Sequence, residues 1–237
     1  MKIDAITLGA DTLTLRADGV EAIVPKHNKL ALCEPIFNEL VVPFALGRDC
    51  ADVAGFVDGV YRAHRNYKWA GTAFWIAVAH VELAMWDALG KAAGKPVSAL
   101  LGEAPRAELP VYLSSMRRDN SAEEEVERLA EKLERTGATA LKVKIGGRMS
   151  RNADSIPGRT QALVEHARRT LPDATLYVDA NGSYDPAHAI EVGRMLEANA
   201  VAWFEEPCEW EAFRDTWRVA GVLDIPVAGG EQESRSA

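Results

Sequence analysis

The apolar positions of this chain change their period once. Before about residue 108 they fall in short alternating runs, Ile3 to Leu8, Leu13 to Arg16 and Glu21 to Val24, separated by glycine and Asp-Gly turns. Alternation with period two puts every second side chain on one face, so these runs predict a small antiparallel sheet. Two helical patterns follow. One runs from about Cys50 to Arg65 with Val53, Phe56, Val57 and Val60 on one stripe. The other carries Phe74, Ala77, Val78, Val81, Met85 and Leu89 and stops at Gly94 and Pro96. The opposite face of this second helix is also apolar, which predicts packing on two sides.

From Leu109 the rhythm becomes strand, helix, strand, helix. Strands are predicted over Pro110–Ser115, Ala140–Ile145, Thr175–Ala180, Val201–Glu205 and Ile225–Ala228. Helices are predicted over Ser121–Thr136, Pro157–Thr170, Pro186–Asn199 and Trp210–Val222. Ser121 with Glu124 forms a capping-box pattern at the start of the first of these helices. Repeated βα units on short loops require a parallel sheet with right-handed crossovers. The first 108 residues therefore read as an α+β domain, and residues 109–237 as a (β/α) array.

Composition narrows the class without choosing a function. A hydrophobic share of 48% and a charged share of 26% are those of an ordinary globular protein. The net charge of −8 comes with no basic stripe. Arg148, Arg151, Arg168 and Arg169 are interspersed with acids as on a solvated face, which argues against a nucleic-acid partner. Cys33, Cys50 and Cys208 are odd in number and widely spaced. They fit neither a disulfide framework nor a CxxC metal site, and reduced, partly buried thiols in a cytoplasmic protein are expected. No apolar segment of signal-peptide type follows Met1. The apolar stretch Trp69–Leu89 is interrupted by His80, Glu82 and Asp87, so it reads as a buried helix and no membrane partner is expected.

The chemistry lies at the predicted strand ends. Lys142 and Lys144 are two apart on a strand and point to the same face, opposite Leu141, Val143 and Ile145. Asp179, Glu205 and Glu231 recur every 26 residues, about one strand-plus-helix unit, so a parallel barrel would carry all three to one rim. Each feature has a bland alternative: lysine tips snorkelling to a wet rim, an Asx turn at Asp179–Gly182, a solvated acidic loop at Glu205–Glu206. Their joint spacing outweighs those alternatives. Converging carboxylates repel unless a cation sits between them, and oxygen ligands suit Mg²⁺, with Mn²⁺ as the alternative and Zn²⁺ disfavoured. Such a cation holds a substrate carboxylate and takes up charge when the adjacent carbon loses its proton. A lysine serves as the base only if its pKa falls from about 10.4 towards neutrality, which a second lysine and a nearby dication favour.

At these residues the chain resembles the enolase superfamily, in particular the mandelate racemase/muconate lactonizing enzyme group. Lys142-Val143-Lys144 matches the family's K-x-K, and Asp179 in Val-Asp-Ala-Asn-Gly, Glu205 in Phe-Glu-Glu-Pro and Glu231 in Gly-Gly-Glu match its metal-ligand motifs. The stretch Glu82–Lys91 resembles part of its capping domain. The resemblance implies an α/β fold, an incomplete (β/α) TIM-type barrel contributing its first five strands over residues 109–237, preceded by an α+β capping domain over residues 1–108. It further implies that Lys144 abstracts the proton through an enediolate, that Lys142 sits by the substrate carboxylate, that Asp179, Glu205 and Glu231 hold the metal, and that Asn181 contacts substrate. A homo-oligomer acting on a small-molecule carboxylate, most favourably a sugar acid, is the expected assembly.

Within that group, dehydration of an acid sugar is the favoured reaction, because Asn181, Ser183, Tyr184 and Arg148 suggest a polar rim suited to hydroxyl groups. Racemisation or epimerisation and cycloisomerisation stay open. Roughly 130 residues follow Leu109, whereas a full eight-unit barrel takes about 250. The chain is therefore expected either to be a fragment or to be completed by another chain. A catalytically silent barrel fragment is a further alternative, as is a Schiff-base lyase using either lysine. The family's other acid/base group, on the opposite face of the substrate, has no candidate in this sequence.

Overall fold

A computed structural model describes residues 1–102 and 106–233; the last four residues of the expected barrel segment lie outside the described residues. The chain divides into two compact units, Met1–Ala107 and Glu108–Glu233.

The first unit opens with an antiparallel sheet of β1 (Ile3–Leu8), β2 (Thr12–Ala17) and β3 (Val20–Pro25), in that order. Asp18 and Gly19 both have positive φ, the geometry of a two-residue hairpin whose twist matches its strands. Between Asn28 and Ala45 the chain forms a run of short helical turns that bury Leu30, Cys33, Phe37, Val41 and Ala45. Sequence reading assigned nothing there. Pro35 and Pro43 resemble helix breakers, but both stand in first turns, where a missing N–H costs nothing.

Helix α1 (Val53–Arg62) is capped by Asp52, which accepts from the Gly55 amide. It stops short of the predicted Arg65 because His64 and Arg65 turn left-handed. Helix α2 (Thr72–Ala93) buries Phe74, Ala77, Val78, Val81 and Met85 of the predicted stripe together with His80, Ala84 and Ala88, leaves Leu89 half-buried, and exposes Leu83 on the opposite face. It is long and apolar enough to cross a membrane by length and composition alone, yet half of that stretch is buried within the unit. Its His80 Nε2 accepts from the His27 amide at 2.9 Å, which leaves Nδ1–H to donate to the Ile76 carbonyl at 2.7 Å. A short helix, α3 (Val97–Leu101), follows.

The second unit is a five-stranded parallel sheet in sequential order: β4 (Leu113–Ser114), β5 (Ala140–Lys144), β6 (Thr175–Asp179), β7 (Trp203–Glu205) and β8 (Val227–Ala228). The helices are α4 (Ala122–Thr136), α5 (Arg159–Thr170), α6 (Pro186–Ala198) and α7 (Phe213–Ala220). Each predicted element is present, but the first and last strands shrink to two residues. They are the sheet's edges, each paired on one side among the described residues, and Pro110 brings no N–H to a ladder. Apolar side chains stay exposed beside both edges, Leu109 and Val111 at one and Phe213 and Trp217 at the other.

The two faces of this sheet differ in kind. Leu141, Val143, Ile145, Leu176, Val178 and Phe204 face the helices and form one core with residues such as Leu129, Leu163 and Leu196. On the inner face the register pairs Lys142 with Tyr177 and Tyr177 with Trp203, then Lys144 with Asp179 and Asp179 with Glu205. The aromatic level is a stack of Tyr177 on Trp203, with ring centroids 3.7 Å apart, edged by Tyr112. Above it, at the C-terminal strand ends, lies a level of charges. The three cysteines are free and buried.

Candidate active site

The period-two geometry of β5 delivers both lysines to the inner face, as the K-x-K spacing predicts. Lys142 and Lys144 are only 7% and 4% exposed, so each needs an anion. Lys144 donates a short hydrogen bond to Asp179, its register partner on β6. Lys142 reaches past β6 to both carboxylate oxygens of Glu205 on β7, at 2.9 and 2.8 Å, and stands 3.8 Å from Asp179. Burial works to lower the Lys142 pKa. The hydrogen bonds it donates to Glu205 and the charges of Glu205 and Asp179 outweigh it, so the ammonium sits above the ordinary lysine range. Asp179 is fully buried and also accepts from the Asn181 amide.

The turn after β6 is locked to the turn after β7. The amides of Ala180, Gly182 and Tyr184 donate to the carbonyls of Glu205, Glu206 and Pro207. Asn181 and Glu206 both adopt positive φ, an uncommon backbone for these residues that places their side chains beside each other. The Asn181 amide group donates to Glu206 Oε2 at 3.3 Å, and its carbonyl oxygen accepts from the Arg118 guanidinium at 2.9 Å. Glu206 is buried and its Oε1 has no hydrogen-bond partner among the described residues. Burial pushes its pKa up; the Asn181 contact works against that, and the charges of Glu231, Asp179 and Glu205 add to the rise.

Lys142, Lys144, Asp179, Glu205 and Asn181 therefore come together. Glu231 does not join them: it is exposed, accepts from the Gln232 side chain, and acts on Glu206 through charge alone. Among the described residues, no three His, Cys, Asp or Glu side chains gather tightly enough to hold a metal ion. The expected polar rim is corrected in two places. Ser183 is fully buried, donating to the Ala180 carbonyl and accepting from the Arg148 amide. The Tyr184 ring is buried with its hydroxyl against Thr160, and burial pushes its pKa up to about 12. Both side chains hold the turn from beneath, because the left-handed Asn181–Gly182 pair swings the chain inward. Arg118 and Glu206 were missed. Arg118 lies on the loop after β4 with no periodic signal to mark it, and Glu206 was overshadowed by its neighbour Glu205.

The donor set fits a hard cation. Asp179, Glu205 and Glu206 bring three carboxylates against two ammonium groups, and one buried carboxylate oxygen has no partner among the described residues. A parallel sheet with its charged groups at the C-terminal strand ends and helices on one face is the geometry of (β/α)-barrel enzymes. Family models agree along the chain: residues 17–102 match the mandelate racemase / muconate lactonizing enzyme N-terminal domain, and residues 124–237 match the enolase C-terminal domain-like model. The chain belongs to the enolase superfamily, in its mandelate racemase/muconate lactonizing enzyme group.

Among its relatives, D-galactarolactone cycloisomerase from Agrobacterium fabrum is 34% identical over 179 residues, covering 73% of this chain and 44% of that protein. Arabinonate dehydratase from Saccharolobus solfataricus is 28% identical over 197 residues, covering 81% and 50%. A crystal structure of a mandelate racemase/muconate lactonizing protein from Paracoccus denitrificans, complexed with magnesium, superposes with TM-score 0.86 at 29% identity, covering 98% of this chain and 65% of that one. The chain thus spans about half the length of the curated relatives it matches.

Proposed function

We propose that this chain carries the metal and base half of a Mg²⁺-dependent active site that removes a proton next to a substrate carboxylate, and that the reaction is dehydration of an acid sugar. The observation that carries the reading is the crossed pairing of Lys144 with Asp179 and Lys142 with Glu205 on three adjacent strand ends. Relatives that dehydrate or cycloisomerise sugar acids support the substrate class. By the family's motifs Asp179, Glu205 and Glu231 would hold Mg²⁺, which requires Glu231 to turn inward from its exposed position. When bound there, the ion supplies positive charge to a substrate carboxylate and stabilises the enediolate electrostatically.

The remaining work falls to the chain itself. In this structure the ammonium groups neutralise the carboxylates. A lysine is a base only without its extra proton, so Lys144 must lose Asp179 as its counterion before it takes a proton from carbon. Lys142 stays charged, held by Glu205, and offers a cation to the substrate carboxylate. Asn181, oriented from both ends by Arg118 and Glu206, presents a fixed amide to a substrate hydroxyl. The aromatic level of Tyr112, Tyr177 and Trp203 lies beneath the charges and packs an apolar floor under them.

The test is isotope exchange. In D2O with Mg²⁺ and an acid sugar, the protein is expected to incorporate deuterium at the carbon next to the carboxylate, and Lys144→Ala to abolish it. Persistent exchange in that variant removes Lys144 as the base.

A further inference from the structure

Arg118 has no ion-pair partner among the described residues. Its guanidinium is half-buried over the C-terminal ends of β5 and β6, donating to the Ile145 carbonyl at 3.3 Å and to Asn181 Oδ1 at 2.9 Å. Both acceptors are neutral. The nearest acid in sequence, Asp119, is taken by Arg117. Among the described residues no carboxylate pairs with Arg118; Arg148 and Arg159 bring further positive charge towards it, and the charge of Asp179, itself paired with Lys144, offsets this only in part. A buried guanidinium left without a counterion costs stability, and such a cost persists where the group serves a ligand.

The loop that carries Arg118 is held on both sides. Before it, Ser115 Oγ bonds the fully buried Glu125 and accepts from the Arg117 amide at 3.2 Å. After it, Asn120 donates to Glu125 at 2.6 Å, and Arg159 donates to the Asn120 carbonyl at 2.7 Å and the Lys144 carbonyl at 3.1 Å. Arg159 thus ties the Arg118 loop to the strand that bears the proposed base. Anchoring of this kind fixes a half-buried fork in space, as a binding group requires and a solvated arginine does not.

From this geometry we infer that Arg118 is a specificity-determining residue that receives a second anionic group of the substrate, so that the site favours dicarboxylic over monocarboxylic acid sugars. The inference rests on the acid-sugar reading above. In this assignment Lys142 and the metal-binding acids engage one carboxylate, Asn181 a hydroxyl beside it, and Arg118, which holds Asn181 from its other side, the second carboxylate. A planar guanidinium receives a carboxylate through two parallel hydrogen bonds, which a lysine or amide does not reproduce.

Galactarate and galactonate share stereochemistry at four carbons and differ at C6, a carboxylate in one and an alcohol in the other. Calorimetric titration of the full chain with each, in millimolar Mg²⁺, is expected to show at least about tenfold tighter binding of galactarate. Arg118→Gln is expected to bring the two dissociation constants within about twofold of each other, galactarate binding weakening by more than galactonate binding. Arg118→Met, which keeps the aliphatic stem, is expected to do the same and stands in should the glutamine variant melt abnormally. Full preference for galactarate in these variants, or equal binding of both acids by the parent, overturns the role of Arg118 alone. Binding of neither acid by the parent overturns the acid-sugar reading along with it.

Discussion

Glu125 is fully buried on α4, where it accepts from Ser115, Asn120 and Arg128. Burial works to raise its pKa, and those three donors outweigh it, so the carboxyl sits below the ordinary glutamate range. A depressed folded pKa means stabilisation that is complete above the unfolded value of about 4.3 and lost as pH falls through the folded one. Glu125→Gln is therefore expected to cost about 2 kcal/mol at pH 7. In urea denaturation the parent and the variant should differ at pH 7, and the difference should begin to shrink only as pH falls below about 4.3. The active-site lysines show a different economy of charge. Lys142 and Lys144 take the carboxylates available on the inner face, and Arg118 is left with neutral acceptors, so the residue in search of an anion lies outside the K-x-K motif.

At the scale of elements, the site depends on how the β5 and β6 ends meet. Gly146 follows β5 with φ +59, and a Cβ there would fall 2.4 Å from Ser183 Oγ and 2.5 Å from Ser183 Cβ. Ser183 cannot yield, since it is buried and bonded to Ala180 and Arg148. Gly146→Ala is expected to cost about 2–3 kcal/mol from backbone strain and overpacking together, read from the denaturation midpoint. The capping box at Ser121 and Glu124, which starts α4 beside the Arg118 loop, was readable from local spacing and is present with both reciprocal bonds. The short helical turns from Asn28 to Ala45 were not readable, although Leu30, Cys33, Phe37, Val41 and Ala45 keep a three-to-four spacing. Two prolines hid a pattern that the structure accommodates by restarting the helix at each of them.

At the scale of the whole molecule, cation binding links the site to stability. If the inner-face carboxylates hold Mg²⁺ with a dissociation constant near 1 mM, then 10 mM MgCl2 should stabilise the fold by about 1.4 kcal/mol. Calorimetry should detect this as a rise in melting temperature, and Glu205→Gln should remove it. Absence of any shift in the parent would argue for the silent reading of the site. The sequence alone determined the strand and helix order of the second unit, the sheet and two main helices of the first, the inward face of Lys142 and Lys144, and the placing of acids at successive strand ends. These follow from backbone periods of 2 and 3.6, which act between near neighbours. Only the tertiary structure decided that Lys144 pairs with Asp179 while Lys142 crosses to Glu205, that Ser183 and Tyr184 lie beneath the turn, and that Arg118 stands over the site. Those choices join residues 24 to 63 positions apart through strand register and loop anchoring. Register and burial are properties of packed neighbours, and no local pattern in the chain encodes them.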